Sequence, residues 1–185
     1  MTDLSRRQFF AASGAAAAAI WITAESRDLL AAGMHAAQAT RFENLSPADA
    51  ADIEATTAQI IPTDATPGAR EARVVYFIDN ALGTFAKTEK PAFDAAVKEL
   101  RARAAKAKKG AKSFAELSGT QQISVLTALE KEKPEMFGQL RSATVAGMLA
   151  NPEYGGNFNK TGWKMIGFVD QFSWAPPFGW YDKNA

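Results

Sequence analysis

In residues 69–86 the chain reads AREARVVYFIDNALGTFA. Apolar side chains recur there at every third or fourth position, at Val74, Phe77, Ile78, Ala81, Leu82 and Phe85. This spacing places them on one face of an α-helix. We therefore expect a helix over residues 69–86 whose apolar face is buried against other helices.

Helix-start residues, prolines and apolar spacing predict four more helices, one before residues 69–86 and three after them. Ser46 suits the N-cap of the first, Pro47 fits its first helical position, and Pro62 ends it. The other three are expected over residues 91–109, 120–131 and 134–150. Ser113 and Glu116 have the spacing of a capping box, which predicts a short turn or helix there. Because no alternating pattern predicts a strand, the expected fold is an all-α, compact helical bundle of about five helices.

The composition excludes several classes of function. The 185 residues include 21 basic and 20 acidic side chains, so no bulk charge favours nucleic acid as a partner. The absence of cysteine excludes disulfides, thiolate zinc sites, iron–sulfur ligation and covalent haem attachment. The single histidine, His35, leaves little scope for metal sites or catalytic triads.

The first 39 residues have the pattern of an export signal. Arg6 and Arg7 precede Phe9 and a mildly apolar, Ala-rich stretch, which is typical of a twin-arginine signal for the periplasm. We interpret this segment as a twin-arginine signal peptide and linker, cleaved after Ala39 or, at a poorer match, after Ala24. The alternatives are an ordinary Sec signal and a permanent anchor.

Residues 40–185 are expected to form a single helical domain. Its last part, residues 151–185, is rich in Gly and Pro and holds nine aromatic residues. This irregular segment lacks the aliphatic volume for a core of its own. Since aromatic side chains dominate interface energetics, we interpret it as a partner-docking segment. The alternative is that its rings pack on the chain's own helices.

A basic stretch lies at residues 101–112, with six basic side chains and no acids. At helical spacing these side chains scatter around the helix axis, which favours an ordinary solvated helix. The alternative is a site for a polyanion or a lipid headgroup.

Candidates for acid–base chemistry are few, namely Asp64, Asp79, Glu153 and Asp170. Nothing in their spacing brings two of them together. Asp64 is typical of an Asx turn, and Asp79 of a cap or a partner for arginine. The Tyr-Gly-Gly-Asn stretch at 154–157 predicts unusual backbone geometry, but it matches neither a phosphate loop nor a dinucleotide fingerprint.

Two long blocks of sequence carry a family resemblance. The first comprises IIPTDATPGAREA and VVYFID, and the second comprises PEYGGN, GW and IGF, at residues 60–72, 74–79, 152–157, 162–163 and 166–168. Over residues 42–181 the chain resembles the gluconate 2-dehydrogenase subunit 3 family, with one departure at Ala65, where a second acidic or polar residue is expected. The first block includes a structural loop with Pro62, Asp64, Pro67 and Gly68.

The resemblance implies a non-catalytic small subunit that binds no cofactor itself. Its partner would be a large catalytic subunit of the glucose–methanol–choline type, which carries FAD and oxidises sugars, sugar acids or other alcohols. A cytochrome c subunit with haem c would accept the electrons. The complex would lie on the periplasmic side of the inner membrane.

This picture suggests that the chain escorts the flavoprotein through the twin-arginine (Tat) translocon. The segment from Tyr154 to Tyr181 would then form much of the contact. The expected partner-binding residues are Tyr154, Gly155, Gly156, Asn157, Trp163, Phe168, Trp174, Phe178 and Trp180. One alternative is a free-standing periplasmic protein that binds a sugar through Tyr154, Asn157 and Trp163. Another is an enzyme that uses Asp64 or Glu153.

Overall fold

The computed structural model describes residues 41–171. Within that range the chain forms six α-helices and no strand, so the all-α prediction is confirmed. The helices are α1 (Pro47–Ile60), α2 (Val74–Gly83), α3 (Lys90–Ala107), α4 (Gly119–Glu132), α5 (Pro134–Leu149) and α6 (Thr161–Ile166). Short 3-10 turns occupy Lys87–Glu89, Phe114–Glu116, Pro152–Tyr154 and Phe158–Lys160. The export signal and the predicted contacts at Trp174, Phe178 and Trp180 lie outside the described residues.

Helix α5 is the centre of the bundle and contacts each of the other five helices. Its sequence explains this position, because every residue from Ala143 to Met148 is buried. A helix that is apolar or small on all sides needs neighbours on all sides. Gly147 allows a close approach to α2, since a Cβ there would meet the side chains of Val74 and Phe77.

Helix α2 carries the predicted apolar stripe, and Val74, Phe77 and Ile78 on it are buried. The helix is nevertheless shorter than expected over residues 69–86. Its start is delayed because Arg73 adopts a left-handed conformation, with φ 56°. At the other end, Thr84 leaves the helical region with φ −125° and ψ −105°.

The predicted start of α1 is confirmed. The Ser46 hydroxyl accepts a hydrogen bond from the Asp49 amide, 3.1 Å away, and Pro47 occupies the first turn. The short turn expected after Ser113 is confirmed as the 3-10 turn Phe114–Glu116, but the capping box is wrong, because Ser113 makes no side-chain cap. The Glu116 carboxylate instead accepts from the Lys112 amide. The capping box of this region is formed by Ser118 and Gln121, at the start of α4.

The part of the C-terminal segment that the structure describes is more regular than expected. Residues 151–171 form two 3-10 turns and helix α6, which packs against α5. Between residues 41 and 171, no helix has both the length and the apolar character that crossing a membrane requires.

Candidate functional site

Asn157 fastens the C-terminal segment to the end of α5. Its side chain is fully buried, and its amide nitrogen donates to the carbonyl of Ala150, 2.9 Å away. Its side-chain oxygen accepts from the amide of Gly162 at 2.8 Å, so it satisfies a free donor at the start of α6. Its backbone amide donates to the carbonyl of Gly147 at 2.8 Å. Asn157 therefore uses its backbone amide and both polar atoms of its side chain to join α5 to α6.

The glycines and the tryptophan of this segment serve the same junction. Gly155 has φ 97°, and Gly156 lies so close to α5 that a Cβ would overlap the carbonyl oxygen of Gly147. Gly162 lies just as close to the carbonyl oxygen of Met148. The indole nitrogen of Trp163 donates to the carbonyl of Leu149 at 2.7 Å.

The aromatic residues predicted to bind a partner are divided between the core and the surface. Tyr154 is partly buried, and its ring meets Phe85 edge-on with 6.5 Å between centroids. Trp163 is also partly buried and packs edge-on against Phe168 at 5.1 Å. Phe168 is 44% exposed, and Val169 next to it is 59% exposed. Of the predicted contact residues in the described part of the chain, Phe168 is thus the one that presents a large apolar surface.

Strained backbone is concentrated beside this segment. Between residues 41 and 171, the residues other than glycine with positive φ are Arg73, Asn157, Asn159 and Lys160. The last three surround Phe158, whose amide donates to the carbonyl of Ala72 at 3.1 Å and so joins them to Arg73. A left-handed conformation costs about 1–2 kcal/mol for a residue such as Arg or Lys. Strain of this kind clusters at functional sites.

Arg73 lies between two aromatic rings. Its guanidinium carbon is 4.2 Å from the centre of the Tyr76 ring and 5.0 Å from that of Phe158. Phe42 extends the stack, because its ring lies 4.8 Å from Tyr76 at an angle of 27°. We call these four residues the Arg73 ladder. The outer ring, Phe158, is 39% exposed.

Sequence reasoning did not find the Arg73 ladder. Phe158 is one of nine aromatic residues in the tail, and nothing in the sequence distinguishes it from the others. The apolar spacing predicts a regular helix through Arg73 and Tyr76, and no pattern points to Phe42. A single signal is present in the sequence, since Arg73, Tyr76 and Phe158 fall inside or beside the blocks that carry the family resemblance.

The loop after α1 forms as the sequence indicated. The Asp64 carboxylate accepts from the Thr66 amide at 2.8 Å, which is the predicted Asx turn. Gly68 is needed because a Cβ there would lie 2.5 Å from the carbonyl oxygen of Ile61. Glu71 closes the loop by accepting from the Thr63 hydroxyl at 2.7 Å and the Gly68 amide at 2.8 Å. The bond from Thr63 is the main cause that lowers the pKa of Glu71.

The match with known proteins covers these features except Phe42. A profile of the gluconate 2-dehydrogenase subunit 3 family matches residues 47–170, a range that includes all six described helices. The chain belongs to this family. No curated protein and no solved structure gives a match.

In this subunit 3 chain, the candidate acids take part in separate interactions. The Asp79 carboxylate is buried and accepts from the backbone amides of residues 43–45 at 2.7–3.0 Å, so it holds the segment before α1 against α2. Asp170 forms an ion pair with Lys160 at 2.7 Å, and Glu153 is exposed in a 3-10 turn. Residues 41–171 contain no group of three or more His, Cys, Asp or Glu that could hold a metal ion.

The basic stretch at 101–112 begins with two arginines that join helices. Arg101 on α3 forms ion pairs of 2.7 Å with Asp49 and with the fully buried Asp52, both on α1. Arg103 pairs with Glu132 on α4 at 2.8 Å. Burial acts to lower the pKa of Arg101, but the hydrogen bonds and charges of Asp52 and Asp49 outweigh it and raise that pKa. These two arginines therefore have internal partners.

A second surface feature is an open groove of about 280 Å³ between α1, α4 and α5. Its lining includes the apolar Ile60, Leu126 and Phe137 and the charged Glu130 and Arg141. Ile123, which also lines it, is 55% exposed. None of these residues belongs to the Arg73 ladder.

Proposed function

We propose that this chain is the non-catalytic small subunit of a periplasmic, FAD-dependent dehydrogenase of the glucose–methanol–choline type. The single observation that carries the proposal is the family match over residues 47–170. The family is named as a subunit of gluconate 2-dehydrogenase, so the chain is an accessory part of a dehydrogenase complex. In the proposed assembly the catalytic subunit holds FAD, a cytochrome c subunit holds haem c, and this chain binds neither.

The second part of the proposal is that the chain stabilises the flavoprotein and escorts it through the twin-arginine route. It rests on Arg6, Arg7 and Phe9 in the leader. The twin-arginine route moves folded proteins, so a flavoprotein that has bound FAD in the cytoplasm can cross as a passenger. The assembled complex then lies on the outer face of the inner membrane.

The sugar-binding alternative receives no support from the geometry. A sugar site needs polar groups that reach the ligand, but Asn157 is fully buried and its side-chain amide bonds to Ala150 and Gly162. The indole nitrogen of Trp163 is likewise used by Leu149.

The test of the escort proposal is a charge-preserving double substitution, Arg6→Lys with Arg7→Lys. It retains the positive charge that a Sec signal needs and removes the arginine pair that the twin-arginine route reads. Dehydrogenase activity is then measured in periplasmic and cytoplasmic fractions of cells that express the whole complex. Arg27→Lys, beyond the apolar stretch, is the matched control.

We expect the double variant to leave dehydrogenase activity in the cytoplasm and the control to export it normally. Periplasmic activity equal to wild type in the double variant would contradict the escort role. Such a result would leave the subunit role intact, because binding of the flavoprotein does not depend on the route.

A further inference from the structure

Four left-handed residues other than glycine lie in two stretches of the described chain that the bond from Phe158 to Ala72 joins, and two of them carry long basic side chains, Arg73 and Lys160. Gly or Asn adopts this backbone conformation more easily, so stability alone does not favour Arg or Lys there. The buried Asn157 and the bond from Phe158 to Ala72 hold this backbone in place. The result is a fixed presentation of the Arg73 and Phe158 side chains at the surface.

The composition of the Arg73 ladder is that of an interface anchor. Arginine and tyrosine are enriched among the residues that dominate binding energy, and aromatic rings bury a large area at low entropy cost. The guanidinium between the rings of Tyr76 and Phe158 is already ordered before any partner arrives. Binding through preordered side chains avoids much of the usual ordering cost.

Charge decides which occupant fits this surface. Basic side chains outnumber acidic ones on and beside the ladder segments, with Arg41, Arg73, Lys160 and Lys164 against Glu43 and Asp170. A second copy of this chain would place like charges opposite each other. The chain's own residues 172–185 contain one Asp and one Lys and offer no net complement. A separate protein with acidic side chains around an apolar patch complements both the rings and the charge.

We propose that the Arg73 ladder is the contact surface for the catalytic flavoprotein subunit, which meets it with apolar side chains rimmed by carboxylates. This inference rests on the proposed function and deepens it by naming the surface and the chemistry of the partner's face. Two further apolar residues, Phe168 and Val169, are also exposed. They directly precede Asp170, whose ion pair with Lys160 links them to the segment that carries Phe158.

The test compares two ladder variants with a control on another surface. Arg73→Asn removes the guanidinium, and Asn tolerates the left-handed backbone. Phe158→Ser removes the outer ring and keeps the amide that bonds to Ala72. Ile123→Ser removes an equally apolar, exposed side chain from α4, in the open groove. Affinity for the catalytic flavoprotein subunit from the same host is measured with full-length chains at low and high salt.

We expect each ladder variant to bind the flavoprotein about tenfold more weakly or worse, as for an interface hot spot. Arg73→Asn should also reduce the loss of affinity on adding salt, because it removes a charge that attracts the partner. The Ile123→Ser variant should bind as wild type does, and the melting temperature of Arg73→Asn should equal or exceed that of wild type, because Asn adopts the left-handed backbone more easily.

Several results would overturn the inference. If wild type captures the flavoprotein and both ladder variants capture it equally well, the surface is wrong while the subunit role stands. If wild type captures no flavoprotein, both proposals fall. If Arg73→Asn changes self-association and leaves flavoprotein binding unchanged, the occupant is a second copy of this chain. If Arg73→Asn lowers the melting temperature of the full chain, but not of a chain that ends at Gln171, the occupant is the segment 172–185.

Discussion

The indole nitrogen of Trp163 donates a hydrogen bond to the carbonyl oxygen of Leu149, 2.7 Å away. Leu149 is the last residue of α5, where helix carbonyls have no partner within the helix. Helix α6 has only six residues, too few for a helix to be stable alone. The bond therefore serves both helices, because it satisfies the end of α5 and holds α6 against it.

Replacing Trp163 with Phe tests this bond. The variant keeps an aromatic ring against Phe168 and loses the donor, so the carbonyl of Leu149 loses its partner. We expect the free energy of unfolding to fall by about 1 kcal/mol, as measured by urea denaturation. Phe168→Leu, which removes the ring contact and keeps the indole, is the control. An unchanged urea midpoint in Trp163→Phe would show that the bond contributes nothing.

Asn157 should be the most sensitive position of the C-terminal segment. Asn157→Ala removes bonds to Ala150 and Gly162 and leaves buried polar groups without partners, for an expected loss of about 2–4 kcal/mol. Asn157→Gly should lose about 1 kcal/mol less, because glycine adopts φ 46° without strain.

The matched control is Asn159→Gly, an exposed position with φ 55°. Relief of backbone strain there should leave stability unchanged or raise it. Thermal unfolding of the three variants gives the order. Equal stability of Asn157→Ala and wild type would contradict the role assigned to the side chain.

Two glycine-to-alanine substitutions should have opposite effects. Gly156→Ala places a methyl group against the carbonyl oxygen of Gly147 and the Cβ of Phe77, which forces the C-terminal segment away from α5. An expected loss of about 1–3 kcal/mol follows from overpacking. Gly138→Ala, inside α5 with open space around the added methyl group, should gain about 0.5–1 kcal/mol. Calorimetric melting temperatures that move in the same direction for both would contradict the packing described.

Sequence patterns predicted the features of this fold that depend on local chemistry. Ser46 and Pro47 are residue types preferred at a helix start, and the apolar stripe around Phe77 requires burial. The late start of α2 at Val74 is not predictable from the sequence, because it depends on a left-handed backbone at Arg73 and arginine has no preference for that conformation. The ladder itself depends on contact between residues 42, 73, 76 and 158, which no local spacing encodes. The tail glycines predicted unusual geometry, but only the fold shows that they make room for carbonyls of α5.

Stability should depend on pH through Glu71. Its pKa is held below the ordinary 4.5 mainly by the hydrogen bond from Thr63, with a further contribution from the Gly68 amide. A carboxylate with a lowered folded pKa stabilises the fold above its ordinary pKa, and this contribution is lost as the pH falls through the lowered value.

Glu71→Gln should therefore be less stable than wild type at neutral pH, and the difference should shrink as the pH falls below 4.5. Thr63→Val removes the first of the two donors and should reproduce part of the effect. Urea midpoints across the acid range give the profile. A difference that stays constant with pH would contradict this account of the loop.

The central claim is that this chain is an accessory subunit of a flavin-dependent dehydrogenase complex. The most direct measurement is purification of the full-length chain from its own cells, followed by size-exclusion chromatography with detection of flavin absorbance and dehydrogenase activity. We predict that the chain elutes with a larger flavoprotein that carries both the flavin and the activity. Elution of the chain free of flavin, while the dehydrogenase activity of the same cells elutes elsewhere, would contradict the claim.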